Sequence, residues 1–294
     1  MAVIVESGYA LPQPDRARIG WQDMTDAFSA TSAASEHPAI SARTWQTYER
    51  WKPSDSPATL TATIPSKLIN YIGIGAHSLT LADAVTIEVE TGGDWVAVLE
   101  DYVAPDNEAL MLLIEPRLCT GVRMTVTYDD TAPSIGKVAA GYAMTMQRPL
   151  YGGHAPIMLT RNTVRTVNVS ESGEWLGSTV LRQGRTTEIA WQHLTALWYR
   201  TNFEPFVWAC RARPFFIAWR PNRFVDCAYA MLTEDPRPSN MGIRDYMSVS
   251  IAISAYSDNT KSDASGFGPY NEPPFSNLVG GAGIIDQAVN EEWP

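Results

Sequence analysis

Between Arg213-Pro214 and Arg220-Pro221 stand five uncharged residues, Phe215-Phe216-Ile217-Ala218-Trp219. A short apolar run, rich in aromatic and β-branched residues and closed at both ends by proline, reads as a buried strand. Proline has no N–H to donate, so neither end can prolong the ladder. The second half of the chain is therefore expected to fold around this strand.

The first half carries the same message in another form. Thr59-Leu60-Thr61-Ala62-Thr63-Ile64 alternates with period two, and Ile69 to Gly75 is apolar, with Gly73 and Gly75 allowing close backbone approach. Val85 to Glu90 alternates, Gly92-Gly93 turns the chain, and Asp94 to Val98 returns it as a hairpin. Leu110 to Glu115, Val122 to Tyr128 and Val138 to Met146 supply further strands. Short strands at roughly 8–12 residue spacing predict an antiparallel sandwich.

After the turn-rich Arg148 to Pro156, Thr163 to Ser170 and Glu174 to Arg182 read as strands. Trp191, Leu194, Leu197 and Trp198 fall on one helical face, and Thr186-Thr187-Glu188 offers a start, so a helix is expected over 187–200. His193 lies off that stripe and is expected in solvent. Phe203 to Cys210, Pro214 to Trp219, Val225 to Leu232 and Tyr246 to Tyr256 complete a β set. The expected fold class is mainly β: an N-terminal jelly-roll β-sandwich plus a C-terminal β-barrel-like domain with one α-helix. The expected division is an arm over 1–15, the sandwich over 16–146, a second β domain over 147–258, and an extended C-terminal arm over 259–294.

Composition bounds the function. A chain of 294 residues, 45% apolar and 18% charged, holds enough apolar matter for two cores. A net charge of -10 argues against nucleic acid as the main partner, because phosphate binding needs a basic face. Cys119, Cys210 and Cys227, odd in number and widely spaced, form neither a disulfide framework nor a zinc pattern and are expected as buried thiols. No signal peptide is visible, and no apolar run approaches the roughly 20 residues a bilayer needs.

Two resemblances follow from these residues. Trp45-x-x-Tyr48-x-x-Trp51, Ala58 to Ile64, Ile72-Gly73-Ile74-Gly75-Ala76-His77-Ser78-Leu79, Val85 to Glu90, Trp95 and Gly121 to Val126 together resemble a discoidin-type, galactose-binding-like sandwich over about 16 to 146. Such domains bind glycans or lipid head groups through loops at one end, or serve as structural decorations. The strand-strand-helix-strands order, with Phe215-Phe216-Ile217-Ala218-Trp219-Arg220-Pro221 and Asn240-x-Gly242-x-Arg244-Asp245-Tyr246-Met247, resembles the tube-like split barrel of tail-tip proteins in long-tailed, non-contractile phages. The resemblance implies a distal tail or baseplate protein of the virion, made in the bacterial cytoplasm. It would form a homo-oligomeric ring such as a hexamer and contact other tail proteins. The alternative is a glycan-binding receptor-recognition module.

No catalytic motif is present: G-x-S-x-G, H-E-x-x-H, G-x-x-x-x-G-K-[ST] and G-x-G-x-x-G are all missing. An enzyme is not expected, nor a cofactor or metal. Asp55, Glu100-Asp101 and Asp129-Asp130 lack calcium-loop spacing and read as solvated turns. Trp45, Tyr48 and Arg50, with His77, are the candidate glycan contacts, set against Trp45 and Trp51 being core. Arg200, Arg211, Arg213, Arg220 and Arg223 crowd the central strand of an acidic chain and are candidate subunit contacts. The Gly- and Pro-rich tail has aromatic anchors for a neighbouring subunit in Phe267, Tyr270, Phe275 and Trp293.

Overall fold

The structure is a computed structural model that describes residues 2–150, 152–157, 159–223, 226–242 and 245–257. These belong to one compact unit ending at Asp258; the expected C-terminal arm, with Phe267, Tyr270, Phe275 and Trp293, lies outside the described residues.

In chain order the first strands are β1 (Ala2–Val5), β2 (Arg18–Gly20), β3 (Phe28–Ala30), β4 (Ala58–His77), β5 (Ala84–Thr91), β6 (Asp94–Tyr102), β7 (Leu110–Thr127), β8 (Ile135–Gly141) and β9 (Met144–Thr145). One sheet has the order β3-β4-β7-β5-β6, with β1 on β7 and β8 on β4. Runs that read as separate strands are joined: β4 holds both Thr59–Ile64 and Ile69–Gly75, and β7 holds both of its predicted pieces. Their irregularities fall near Pro65 and Pro116, and register shifts there let each long strand bend around a single core. Leu60, Ile64, Ile72, Ile74, Leu112, Ile114, Val122, Met124 and Val126 fill that core. The Gly92-Gly93 hairpin forms as expected, both glycines having positive φ, as such a turn requires. The expected N-terminal arm is partly structured: β1 pairs in parallel with β7.

The second sheet uses β10 (Asn162–Val169), β11 (Trp175–Thr195), β12 (Phe215–Ala218), β13 (Cys227–Leu232), β14 (Ser239–Asn240) and β15 (Tyr246–Ala255). Its order is β10-β11-β15-β13-β12-β2-β9, with β14 on β15. β2 thus leaves the first sheet's stretch of sequence and pairs with β12, Ile19 lying opposite Ile217.

The helix expected over 187–200 is displaced. Residues 187–195 continue β11, with Thr187, Ile189 and Trp191 buried at period two. A register irregularity between Trp191 and Leu194 puts Leu194 back inside, which imitates an i, i+3 spacing. Leu197, the third member of the presumed stripe, is exposed. The helical segment runs over 196–209, sharing 196–200 with the expected helix and continuing through 203–209, where a strand was expected: α-helix at Ala196–Trp198, a π-helical turn at Tyr199–Phe203, and α-helix again at Glu204–Ala209. Thr195 caps it, its Oγ1 accepting from the Trp198 N–H at 3.3 Å. Pro205, which has no N–H to give to the preceding turn, falls directly after the π-helical turn, where the regular ladder is already interrupted. Tyr199, Phe203, Phe206 and Cys210 form the real stripe, at i, i+4, i+7 and i+11, and all are buried.

The central strand is buried throughout, as expected. Phe215, Ile217 and Trp219 enter a core with Trp191, Phe203, Phe206, Val249 and Ile251. Phe206 meets Phe215 edge-on at 5.0 Å between centroids. Phe216 and Ala218 face the other way, into a third cluster with Tyr71, Met111, Leu113, Ala139, Cys227 and Tyr229. That cluster is a seam between the sheets. Gly73 and Gly75 of β4 admit the rings of Phe216 and Tyr229: a Cβ at these positions would lie 2.7 Å and 3.0 Å from ring atoms. All three cysteines are buried and none is in a disulfide, and burial pushes the Cys210 thiol up to about 12.

Candidate functional site

Two clefts open where the sheets meet. The polar cleft, about 620 Å³, is lined from the first sheet's side by residues 22–25, Arg43 to Trp45, Tyr71 and Lys137, and from the second by Gly20, Ala209, Arg213, Phe216 and Tyr229. The apolar cleft, about 450 Å³, is lined by Trp45 to Tyr48, Pro214, Tyr229, Met231 and Ser254 to Tyr256. Trp45, Pro214 and Tyr229 line both, so Trp45 stands on the ridge between them.

The loop that presents Trp45 is anchored from below. Trp51 is fully buried, bridges to Ile135 through paired backbone hydrogen bonds, and donates its indole N–H to the Ser32 carbonyl at 3.0 Å. Arg50 donates to the Thr47 carbonyl at 3.1 Å and to the Tyr256 hydroxyl at 2.9 Å, tying the loop to the end of β15. The Tyr229 hydroxyl donates to the Trp45 carbonyl at 3.3 Å. Trp45 and Tyr48 are nevertheless 45% and 78% exposed. Two large rings are thus left open to solvent on a fixed loop.

Of the four glycan candidates, the structure brings Trp45 and Tyr48 to the apolar cleft and uses Arg50 as their brace. His77 stands apart: it is 2% exposed at the end of β4 and lines neither cleft. Its Nδ1 accepts from the Leu79 N–H at 3.2 Å, and burial lowers its pKa to about 4. Trp51, set beside Trp45 as core, is core; Trp45 is not.

Polar groups in the polar cleft are mostly committed. Asp23 accepts from Lys137 at 2.5 Å and from the Thr25 hydroxyl at 2.6 Å. Lys137 also donates to the Arg43 carbonyl at 2.7 Å. Tyr71 donates to the Gln22 carbonyl at 2.7 Å, and burial raises its phenol well above the ordinary range, keeping it a donor. Arg213 differs: it is exposed and makes no hydrogen bond or ion pair among the described residues.

The other arginines of the central strand do not form one patch with common partners. Arg211 lies over the Trp208 ring at 4.9 Å, and Arg220 donates to the Leu150 carbonyl at 3.4 Å. Arg200 and Arg223 are exposed.

The strands expected over 163–170 and 174–182 form the β10–β11 hairpin, and its exposure is a second feature. Nearly every residue from Asn162 to Leu181 is exposed. Directly paired residues of antiparallel strands share a face. Val169 pairs with Trp175, Val167 with Ser178 and Arg165 with Val180, which gathers the apolar residues on one side. Thr166 with Thr179 and Asn168 with Gly177 make the other side polar. Trp175 is 86% exposed and its neighbour Leu176 68%. The alternation was visible; that none of the described residues covers it was not.

Among the described residues no group of three or more His, Cys, Asp or Glu could hold a metal, and no helix is long and apolar enough to cross a membrane. No protein-family model and no curated protein matches the chain. Solved carbohydrate-binding modules are similar over about two fifths of it. Chitosan-binding module 1 of a chitosanase/glucanase from Paenibacillus sp. IK-5 shares 17% identity, with 41% of this chain and 97% of that one covered, at a TM-score of 0.36. Module 2 of the same enzyme, in complex with chitotriose, shares 15%, with 40% and 98% covered, at 0.37. The family 32 module of NanJ from C. perfringens, in complex with galactose, shares 18%, with 42% and 98% covered, at 0.35.

Proposed function

We propose that the protein is a non-catalytic structural subunit of a phage tail tip, assembling with copies of itself into a ring through its second sheet. The observation that carries this reading is the β10–β11 hairpin. An isolated two-stranded ribbon is marginal in water. This one nevertheless presents Val167, Val169, Trp175 and Val180 to solvent along one face. Covering that face with another copy removes the apolar surface from water, at roughly 25 cal/mol per Å² buried. A hairpin that reaches a different surface on the next copy makes a heterologous contact, which closes into a ring when the rotation between copies divides the full turn evenly and otherwise runs on as a filament. The exposed Arg200, Arg211 and Arg223 suit the rim of such an interface. Placement in a tail tip rests on the resemblance of the central strand and of Asn240 to Met247.

The test is particle mass in solution at micromolar concentration. The intact chain is expected as a discrete oligomer. Trp175→Ser with Leu176→Ser is expected to yield a monomer with an unchanged melting temperature, because both side chains are largely exposed. A monomeric intact chain, or a variant that assembles normally, overturns the reading.

One observation favours a second role, glycan recognition: Trp45 and Tyr48 stand exposed on a braced loop beside two clefts.

A further inference from the structure

The two clefts differ in a way that selects among glycans. The apolar cleft offers the exposed rings of Trp45 and Tyr48, with Tyr229 and Tyr256 in its wall and Gln46, Thr47 and Ser254 among its polar lining residues. Rings interleaved with short polar side chains suit a ligand with apolar C–H faces and a hydroxyl rim. That is the surface of a pyranose. The polar cleft, across the Trp45 ridge, carries three cations, Arg43, Lys137 and Arg213, against one carboxylate, Asp23. On a chain of net charge -10 this local excess is the reverse of the whole. Lys137 is neutralised by Asp23, and Arg43 lies 3.6 Å from Asp26. Arg213 is left without an anionic partner among the described residues, at the rim of a cavity large enough for a small ligand.

We propose that the two clefts form one binding site for an acidic oligosaccharide. One sugar ring stacks on Trp45 and Tyr48, and the carboxylate of an adjoining sugar reaches Arg213. The inference rests on the glycan reading and is independent of ring assembly. Arg213 supplies the planar fork that matches a carboxylate. The braces described above, Trp51, Arg50 and Tyr229, hold the stacking rings in place before the ligand arrives, which lowers the ordering cost of binding. An acidic peptide is disfavoured because the cleft walls present side chains and satisfied carbonyls rather than an open strand edge.

The experiment is calorimetric titration of the full chain with an oligoglucuronate and with the neutral oligoglucose of the same linkage and length. These differ only in carboxylate against hydroxymethyl. The acidic sugar is expected to bind about 10-fold or more tightly, with affinity falling as salt is raised. Trp45→Ala is expected to lose binding of both. Arg213→Gln is expected to bring the acidic sugar down to the neutral one, and Arg213→Lys to recover part of the difference. Both positions are exposed, so the variants keep the parent melting temperature. Equal affinity for the two sugars overturns the charge selection while leaving glycan binding standing. No heat with either sugar at millimolar concentration overturns both. A glutamate-rich peptide that binds more tightly than the oligoglucuronate overturns the assignment of ligand class.

Discussion

His77 shows how a residue with chemical potential can be spent on structure. The ring is buried at the end of β4, its Nδ1 takes the Leu79 N–H, and burial holds its pKa near 4. In the unfolded chain it returns to about 6.5. Between those values the unfolded state binds a proton that the folded state refuses, so stability rises with pH there. The contribution is whole above about pH 6.5 and is lost as pH falls towards 4, at up to about 1.4 kcal/mol per pH unit. His77→Asn keeps an acceptor for Leu79 but cannot be protonated. Its melting temperature is expected to fall less than the parent's between pH 7 and pH 4.5. Parallel curves would remove His77 from the account. Its type and its place after an apolar strand were legible; its burial was not, because burial depends on what packs over Leu79.

At the scale of elements, the sequence disclosed strands through period two and hid the events between them. The Phe215 to Trp219 strand was readable because its prolines and apolar run are local facts. The helix was misplaced because a bulge in β11 gave Trp191 and Leu194 a helical spacing, while the part of the true stripe from Phe203 to Cys210 was taken for a strand. Trp45 and Tyr48 were legible as a pair, but Arg213 entered their site only through the contact of two sheets. The same contact governs β8. Its last residue, Gly141, passes beneath the segment at Gln22: an added Cβ would sit 2.0 Å from the Gln22 carbonyl oxygen. That oxygen already accepts from Tyr71, and Met24 donates to the Ala140 carbonyl at 2.8 Å, so the segment cannot retreat freely. Gly141→Ala is expected to cost about 3 kcal/mol by denaturant unfolding. Gly152→Ala, with nothing within 4 Å of its Cβ, is expected to stay within about 0.5 kcal/mol of the parent. Equal stabilities would show that the strand and segment adjust together.

For the molecule as a whole, what matters is that the sheets share a boundary rather than a linker. Gly73 and Gly75 bring β4 against Phe216 and Tyr229, and Arg185 donates to the buried Glu108 at 2.7 Å across the same boundary. A chain lacking residues 1–20 loses β1 and β2 together, exposing the edge of β12 and removing Ile19 from its core. It is expected to be insoluble or to melt without cooperativity; a soluble fragment with the parent's transition would refute the dependence. The pairing of β2 with β12 also bears on how the protein comes into being. Arg18 to Gly20 leave the ribosome some two hundred residues ahead of their partners at Phe216 to Ala218. Until then they have only β9 to pair with, Ile19 opposite Met144, and the second sheet is completed only when both distant stretches have been made.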